Sequence, residues 1–167
     1  MTEIHNPHLY VLMVFDGGYL FVPQDDVHSV EIIADVQITR TDMGAVGWFF
    51  GHGLESQVFC LAYDLSLLVD VPENHEYFIL LKSEEQPLGI TCQEVENINF
   101  KQRHLYPQKL PKAMKTLESP ITHLLIYQDK VACVCSGTAL IKHLSSIVSP
   151  FSSASKPIKT ETKTEND

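Results

Sequence analysis

The chain has 167 residues, 44 % of them hydrophobic, which suits one compact domain or two small subdomains sharing a core and excludes a disordered chain. Its net charge of −9 is gathered at the front: residues 1–76 carry twelve acids against one base, Arg40, whereas residues 77–148 carry six acids and eight bases. An acidic front half repels phosphate backbones and anionic lipid, so neither nucleic-acid binding nor membrane-surface binding is expected; it suits a solvated face or the steering of a basic protein partner. Met1 to Pro7 offers no basic residue and no small-residue cleavage site, and the longest apolar runs fall far short of the roughly 18 residues of a membrane span. A cytoplasmic protein without membrane insertion is expected.

The elements begin with an internal echo. Residues 9–30 (LYVLMVFDGGYLFVPQDDVHSV) align without a gap on residues 77–98 (YFILLKSEEQPLGITCQEVENI), at a constant offset of 68. Leu12, Leu20 and Val27 meet Leu80, Leu88 and Val95, and conservative pairs such as Tyr10 with Phe78 and Val22 with Ile90 extend the match. Each copy reads as a strand, a polar turn and a second strand, with Asp16-Gly17-Gly18 supplying the positive φ that tight hairpins favour. Asp25, Asp26, Val27 and Val30 then place acids ahead of helically spaced valines, predicting a short helical turn. One hairpin cannot bury enough surface to stand alone, so the two units should share a core.

Between the units, Val46 to Phe50 and Gln57 to Leu61 read as strands around Gly51-His52-Gly53, and Ala62 to Val69 has helical spacing through Leu65 and Leu68. After the second unit, Ile121 to Tyr127 and Lys130 to Cys135 read as a hairpin across Gln128-Asp129. Thr138 to Ile147 is helical by its apolar spacing at Leu140, Ile141, Leu144 and Ile147. Many short strands with closely spaced turns point to small barrels, and the Ser-, Lys-, Thr- and Glu-rich residues 149–167 to a disordered tail.

No nucleotide-binding or hydrolase motif occurs, and the eight histidines match no metal-ligand spacing. Cys60, Cys92, Cys133 and Cys135 show no disulfide framework and read as reduced, partly buried thiols. Cys133 and Cys135 share a strand face, and the idea that they hold a metal in a small sensor needs further ligands that the sequence does not mark. In Trp48-Phe49-Phe50, strand alternation puts Trp48 and Phe50 on one face, where exposed aromatics would make an interaction surface. His52, between two glycines, is placed to act as an interface residue titrating around pH 6 to 7.

The order of these elements, from about Leu9 to Leu144, resembles the CheW-like domain family. The resemblance is carried by Val22-Pro23 with Val27 to Val30, and by Gly47 to Gly53 followed by Gln57 to Leu61. It extends through Leu88-Gly89-Ile90 with Glu94, Val95 and Ile98, and through the closing hairpin and helix. It implies a mainly β fold of two small five-stranded β-barrel subdomains sharing a core, with short helices. Residues 9–148 would form the domain, 1–8 an N-terminal extension and 149–167 a polar tail. The resemblance further implies a non-catalytic adaptor or scaffold of chemotaxis-type signal transduction, without cofactor or metal. Such a protein binds a CheA-type histidine kinase, the cytoplasmic domain of a chemoreceptor, or both. The candidate interaction residues are Gly47, Trp48, Phe50, His52 and Gly53.

The chain departs from the family at several of these positions. Phe50 stands at the family's asparagine and His52 at its arginine, Gln57 and Cys60 replace a proline and an aspartate, and His123 replaces a glycine. A histidine makes one contact where a charged, forked arginine makes two. Weaker docking is therefore expected, or service to another system, such as pilus-based motility or another two-component pathway.

Overall fold

The computed structural model describes residues 7–39, 44–115 and 119–147. Among the described residues, twelve strands form two six-stranded sheets, joined by three short 3-10 turns and a helix over residues 137–147. The strands are β1 (Leu9–Phe15), β2 (Gly18–Pro23), β3 (Val27–Ile32), β4 (Val36–Ile38), β5 (Gly47–Gly51), β6 (Leu54–Phe59), β7 (Tyr77–Leu81), β8 (Leu88–Cys92), β9 (Glu94–Asn99), β10 (Gln108–Lys109), β11 (Ile121–Tyr127) and β12 (Lys130–Cys135). One sheet runs β10-β11-β12-β2-β1-β9 and the other β3-β7-β8-β6-β5-β4. The mainly β class and its two β subdomains are as expected. The count is six strands a sheet rather than five, because the short β10 and β4 add an edge to each. Of the outlying segments, residues 1–6 of the expected extension and 148–167, which include the expected tail, lie outside the described residues.

The echo at offset 68 is a repeat of register. Val11 faces Val22 and Met13 faces Leu20 in the first hairpin; Ile79 faces Ile90 and Leu81 faces Leu88 in the second. The third strand of each unit crosses to the opposite sheet, β3 pairing with β7 and β9 with β1. A second correspondence, at offset 76, relates hairpin β5–β6 to hairpin β11–β12. Gly47 faces Val58 as His123 faces Val134, and the partner strands run parallel to β8 and β2 at corresponding residues, Val58 on Gly89 and Val134 on Phe21.

Burial explains why β1 and β7 are nearly continuous apolar runs. Val11, Met13 and Phe15 point into a core shared by both sheets, which Ile79 and Leu81 enter from the other side and Leu140 and Leu144 of the helix cover. The alternate residues serve local cores, Leu12 with Phe21, Ile98 and Phe100 in one sheet, and Phe78 and Leu80 with Phe49 and Val58 in the other. Strands buried on both faces lose the polar alternation of a half-exposed strand. Asp26 adds a polar tie across the join, accepting the Gly137 N–H at 2.8 Å where the helix begins.

Two expected elements differ. The valine spacing at Val27 and Val30 is not helical: a single 3-10 turn covers Gln24–Asp26, and Val27 already belongs to β3. A register shift between Val27 and Ser29 brings Val27 and Val30 opposite Leu81 and Ile79, so residues three apart lie on one face as they would on a helix. Residues 62–69 likewise form turns instead of a helix. The Asp64 carboxylate accepts both the Ser66 N–H (3.1 Å) and the Ser66 hydroxyl (2.6 Å), Leu65 takes a φ of +67°, and Leu61 bridges to Leu67. Leu65 still reaches the shared core, and its carbonyl accepts a hydrogen bond from His143 Nε2 at 2.8 Å.

Gly89 is fixed by packing. A Cβ there would overlap the Ile79 carbonyl oxygen and lie 2.8 Å from the Phe78 ring. Its counterpart in the other sheet is Phe21, so one local core is filled from β2 and the other from β7, which needs the glycine opposite. Gly89→Ala is expected to cost about 3 kcal/mol, the upper range for overpacking a tight core, as read by urea denaturation.

Candidate protein-interaction site

The segment that holds the candidate residues is the β5–β6 hairpin. Its turn is the pair His52-Gly53, with φ of +54° and +72°, the double left-handed combination of a two-residue type I′ hairpin. The pairs Asp16-Gly17 and Gln128-Asp129 do the same in the β1–β2 and β11–β12 hairpins. Histidine, like Asn and Asp, is one of the non-glycine residues that adopt this conformation more readily than most.

The five candidate residues divide into two kinds. Gly47 and Gly53 are needed by the backbone: a Cβ at Gly47 would overlap the Gln37 carbonyl of β4, and Gly53 supplies a positive φ in open space. Trp48, Phe50 and His52 offer side chains. Phe49 is buried between Val36, Val58 and Phe78, whereas Trp48 is half-buried and Phe50 stands on the outer face, 52 % exposed, opposite Glu55. Such an exposed ring contributes little to the core.

His52 turns away from this face toward β3. Its Nε2 lies 2.7 Å from Glu31 Oε2, and its ring is 5.4 Å from that of His28 and 6.2 Å from that of Phe49. Burial pushes the Glu31 carboxyl up. The Ser29 hydroxyl beside it, the His52 contact and the charges of His52 and His28 outweigh this and hold it below the usual carboxylate range.

The corresponding face of the other sheet carries an apolar pair that sequence reading missed. Ile126 (64 % exposed) and Val131 (60 %) sit directly opposite one another on β11 and β12, at the positions of Phe50 and Glu55 in the second correspondence. Residues 47–59 and 123–135 share only Val58 and Val134 in identity, so the match is one of register and turn. Val131 and Cys133 also line a cleft of about 320 Å³ with Phe15, Tyr19, Tyr63 and Leu65, largely apolar and open to solvent.

The thiols are protected. Burial pushes Cys92 and Cys135 up to about 12 and raises Cys60 and Cys133, which keeps all four protonated. Among the described residues no group of three or more His, Cys, Asp or Glu is placed to hold a metal. Cys133 and Cys135 pack on the shared core together. No helix among the described residues is long and apolar enough to cross a membrane.

With this geometry in view, the chain is similar to a solved structure described as the scaffolding protein TtCheW from Thermoanaerobacter tengcongensis. The TM-score is 0.56 at 18 % identity, covering 78 % of this chain and 89 % of that one. The chain therefore has the CheW-like fold. No family model matches it, and no curated protein does.

A buried polar group gives a pH dependence. His75 is 4 % exposed, its Nδ1 2.8 Å from Thr91 Oγ1 and 3.8 Å from Cys60 Sγ, and burial lowers its pKa despite the opposing charge of Asp16. The folded state thus resists a proton that the unfolded chain accepts below about pH 6.5, so His75 lowers stability progressively as the pH falls through that value toward its own depressed pKa. The melting temperatures of wild type and His75→Gln should converge between pH 7.5 and pH 5, tracked by circular dichroism; a constant gap would show that His75 does not titrate this way.

Proposed function

We propose that this protein is a non-catalytic adaptor in bacterial signal transduction, binding a CheA-type histidine kinase, a chemoreceptor cytoplasmic domain, or both, through the outer face of the β5–β6 hairpin. The observation that carries this is the fold shared over most of both chains with a protein described as a scaffold. Two features of the chain itself support a binding role. Phe50 is a large apolar side chain held out on a rigid two-residue hairpin, the arrangement of an interface anchor. The acidic front half of the sequence favours a partner with a basic surface.

Gly47 and Gly53 shape this face and Trp48 and Phe50 supply apolar contact, while His52 at the turn is directed to Glu31. A second reading, that the module serves pilus-based motility or another two-component system, draws on Phe50 and His52 standing where the family has asparagine and arginine. Loss of the forked cation removes a bidentate contact, and an exposed phenyl ring suits a more apolar partner.

Titration calorimetry of the full chain against a CheA-type kinase fragment and a receptor hairpin separates the readings. Binding is expected to weaken at least about tenfold, or 1.4 kcal/mol, in Phe50→Asp and to strengthen in His52→Arg. No binding to either fragment by the folded wild type would exclude the chemotaxis-type partners and leave the second reading.

A further inference from the structure

The turn that carries His52 also makes a contact across the sheet. Two strands, β7 and β8, separate β3 from β6 in the hydrogen-bonded order, so His52 and Glu31 meet across the mouth of the curled sheet and not along a shared ladder. Glu31 faces the same side as its partner Phe78, into this mouth, and its side chain is 17 % exposed against 47 % for His52. His52 has a left-handed backbone and its ring contacts Glu31, while Phe50 two residues earlier stands on the outer face.

We propose that His52 and Glu31 form a proton-dependent clasp that fastens the β5–β6 turn to β3, tight when the imidazole is charged and slack when it is neutral. The groups that bear on it come from three elements. β3 supplies Glu31, His28 and Ser29; the hairpin supplies His52, the Phe49 ring and, on its outer face, Glu55; β7 supplies only the apolar Phe78. A hydrogen bond to a carboxylate is already stronger than one between neutral groups, and a charged imidazole adds the attraction of opposite charges, worth about 0.2–1 kcal/mol for a half-exposed pair. Histidine is the side chain whose charge changes around neutrality, while a carboxyl held below its usual range keeps its charge, so the 2.7 Å contact becomes fully ionic only on the acid side. As pH rises past neutrality the carboxylate stays charged and the contact falls from an ion pair to a hydrogen bond donated by a neutral ring.

The clasp would control how firmly Phe50 is presented. In that use it rests on the reading of the hairpin as a binding face; the following test is made without any partner, so the two can fail separately. Amide exchange of Gly53 and Leu54 is measured by NMR on the full chain at pH 5.5 and pH 8, as protection factors that remove the intrinsic pH effect. Wild type should lose protection about two- to fivefold at the higher pH, the range for a half-exposed ion pair. Glu31→Gln, which keeps the shape, and His52→Asn, which tolerates the left-handed backbone but cannot titrate, should show no such change. Equal protection of wild type at both pH values, or the same loss in either variant, would overturn the clasp.

Discussion

The structure depends on two strands being buried on both of their faces. β1 and β7 each send alternate side chains into the shared core and into the local core of their own sheet, so neither sheet has a complete interior without the other. The exchange of third strands follows from the same constraint. β9 pairs with β1 and β3 with β7, which makes each unit of the echo dependent on its partner for an edge. The Leu140 and Leu144 side chains of the C-terminal helix cover the seam where the two meet.

Because the interior is committed in this way, variation is left to the hairpins that hang from it. β5–β6 and β11–β12 hold corresponding registers on β8 and β2, and each presents a short outer face beyond the core. On one, Phe50 stands opposite Glu55; on the other, Ile126 stands opposite Val131. Pseudo-equivalent scaffolds thus display different chemistry, one amphipathic and one wholly apolar. The chain has two distinguishable outer surfaces on one core.

Much of the fold was legible in the sequence, for identifiable reasons. The echo at offset 68 was readable because paired strands in the same register need apolar residues at the same positions, and Gly17 and the closing helix periodicity gave unambiguous local signals. The helical turn at Val27 was misread because a β-bulge reproduces a three-residue apolar spacing, and the helix at residues 62–69 because Asp64 satisfies the backbone locally. At the site, alternation correctly separated Phe49 from Trp48 and Phe50. The His52–Glu31 contact was not legible, since it joins strands that are neither adjacent in sequence nor paired in the sheet. The Ile126–Val131 face escaped because its likeness to β5–β6 lies in register, with almost no shared residues.

The substitution at position 52 therefore has two consequences that pull apart. An arginine there would carry its charge at every physiological pH and could pair with Glu31 or with a partner's carboxylate, in both cases without regard to the proton concentration. Histidine gives up the fork and the permanent charge, and its single contact is already directed at Glu31 within the same chain. On the proposed reading, what remains for a partner on this hairpin is the exposed Phe50, two residues before the contact that ties the turn to β3. On that reading, phenylalanine and histidine at positions 50 and 52 would move recognition from a charged contact toward an apolar one. They leave the hairpin's glycines, and the strand geometry that depends on them, in place.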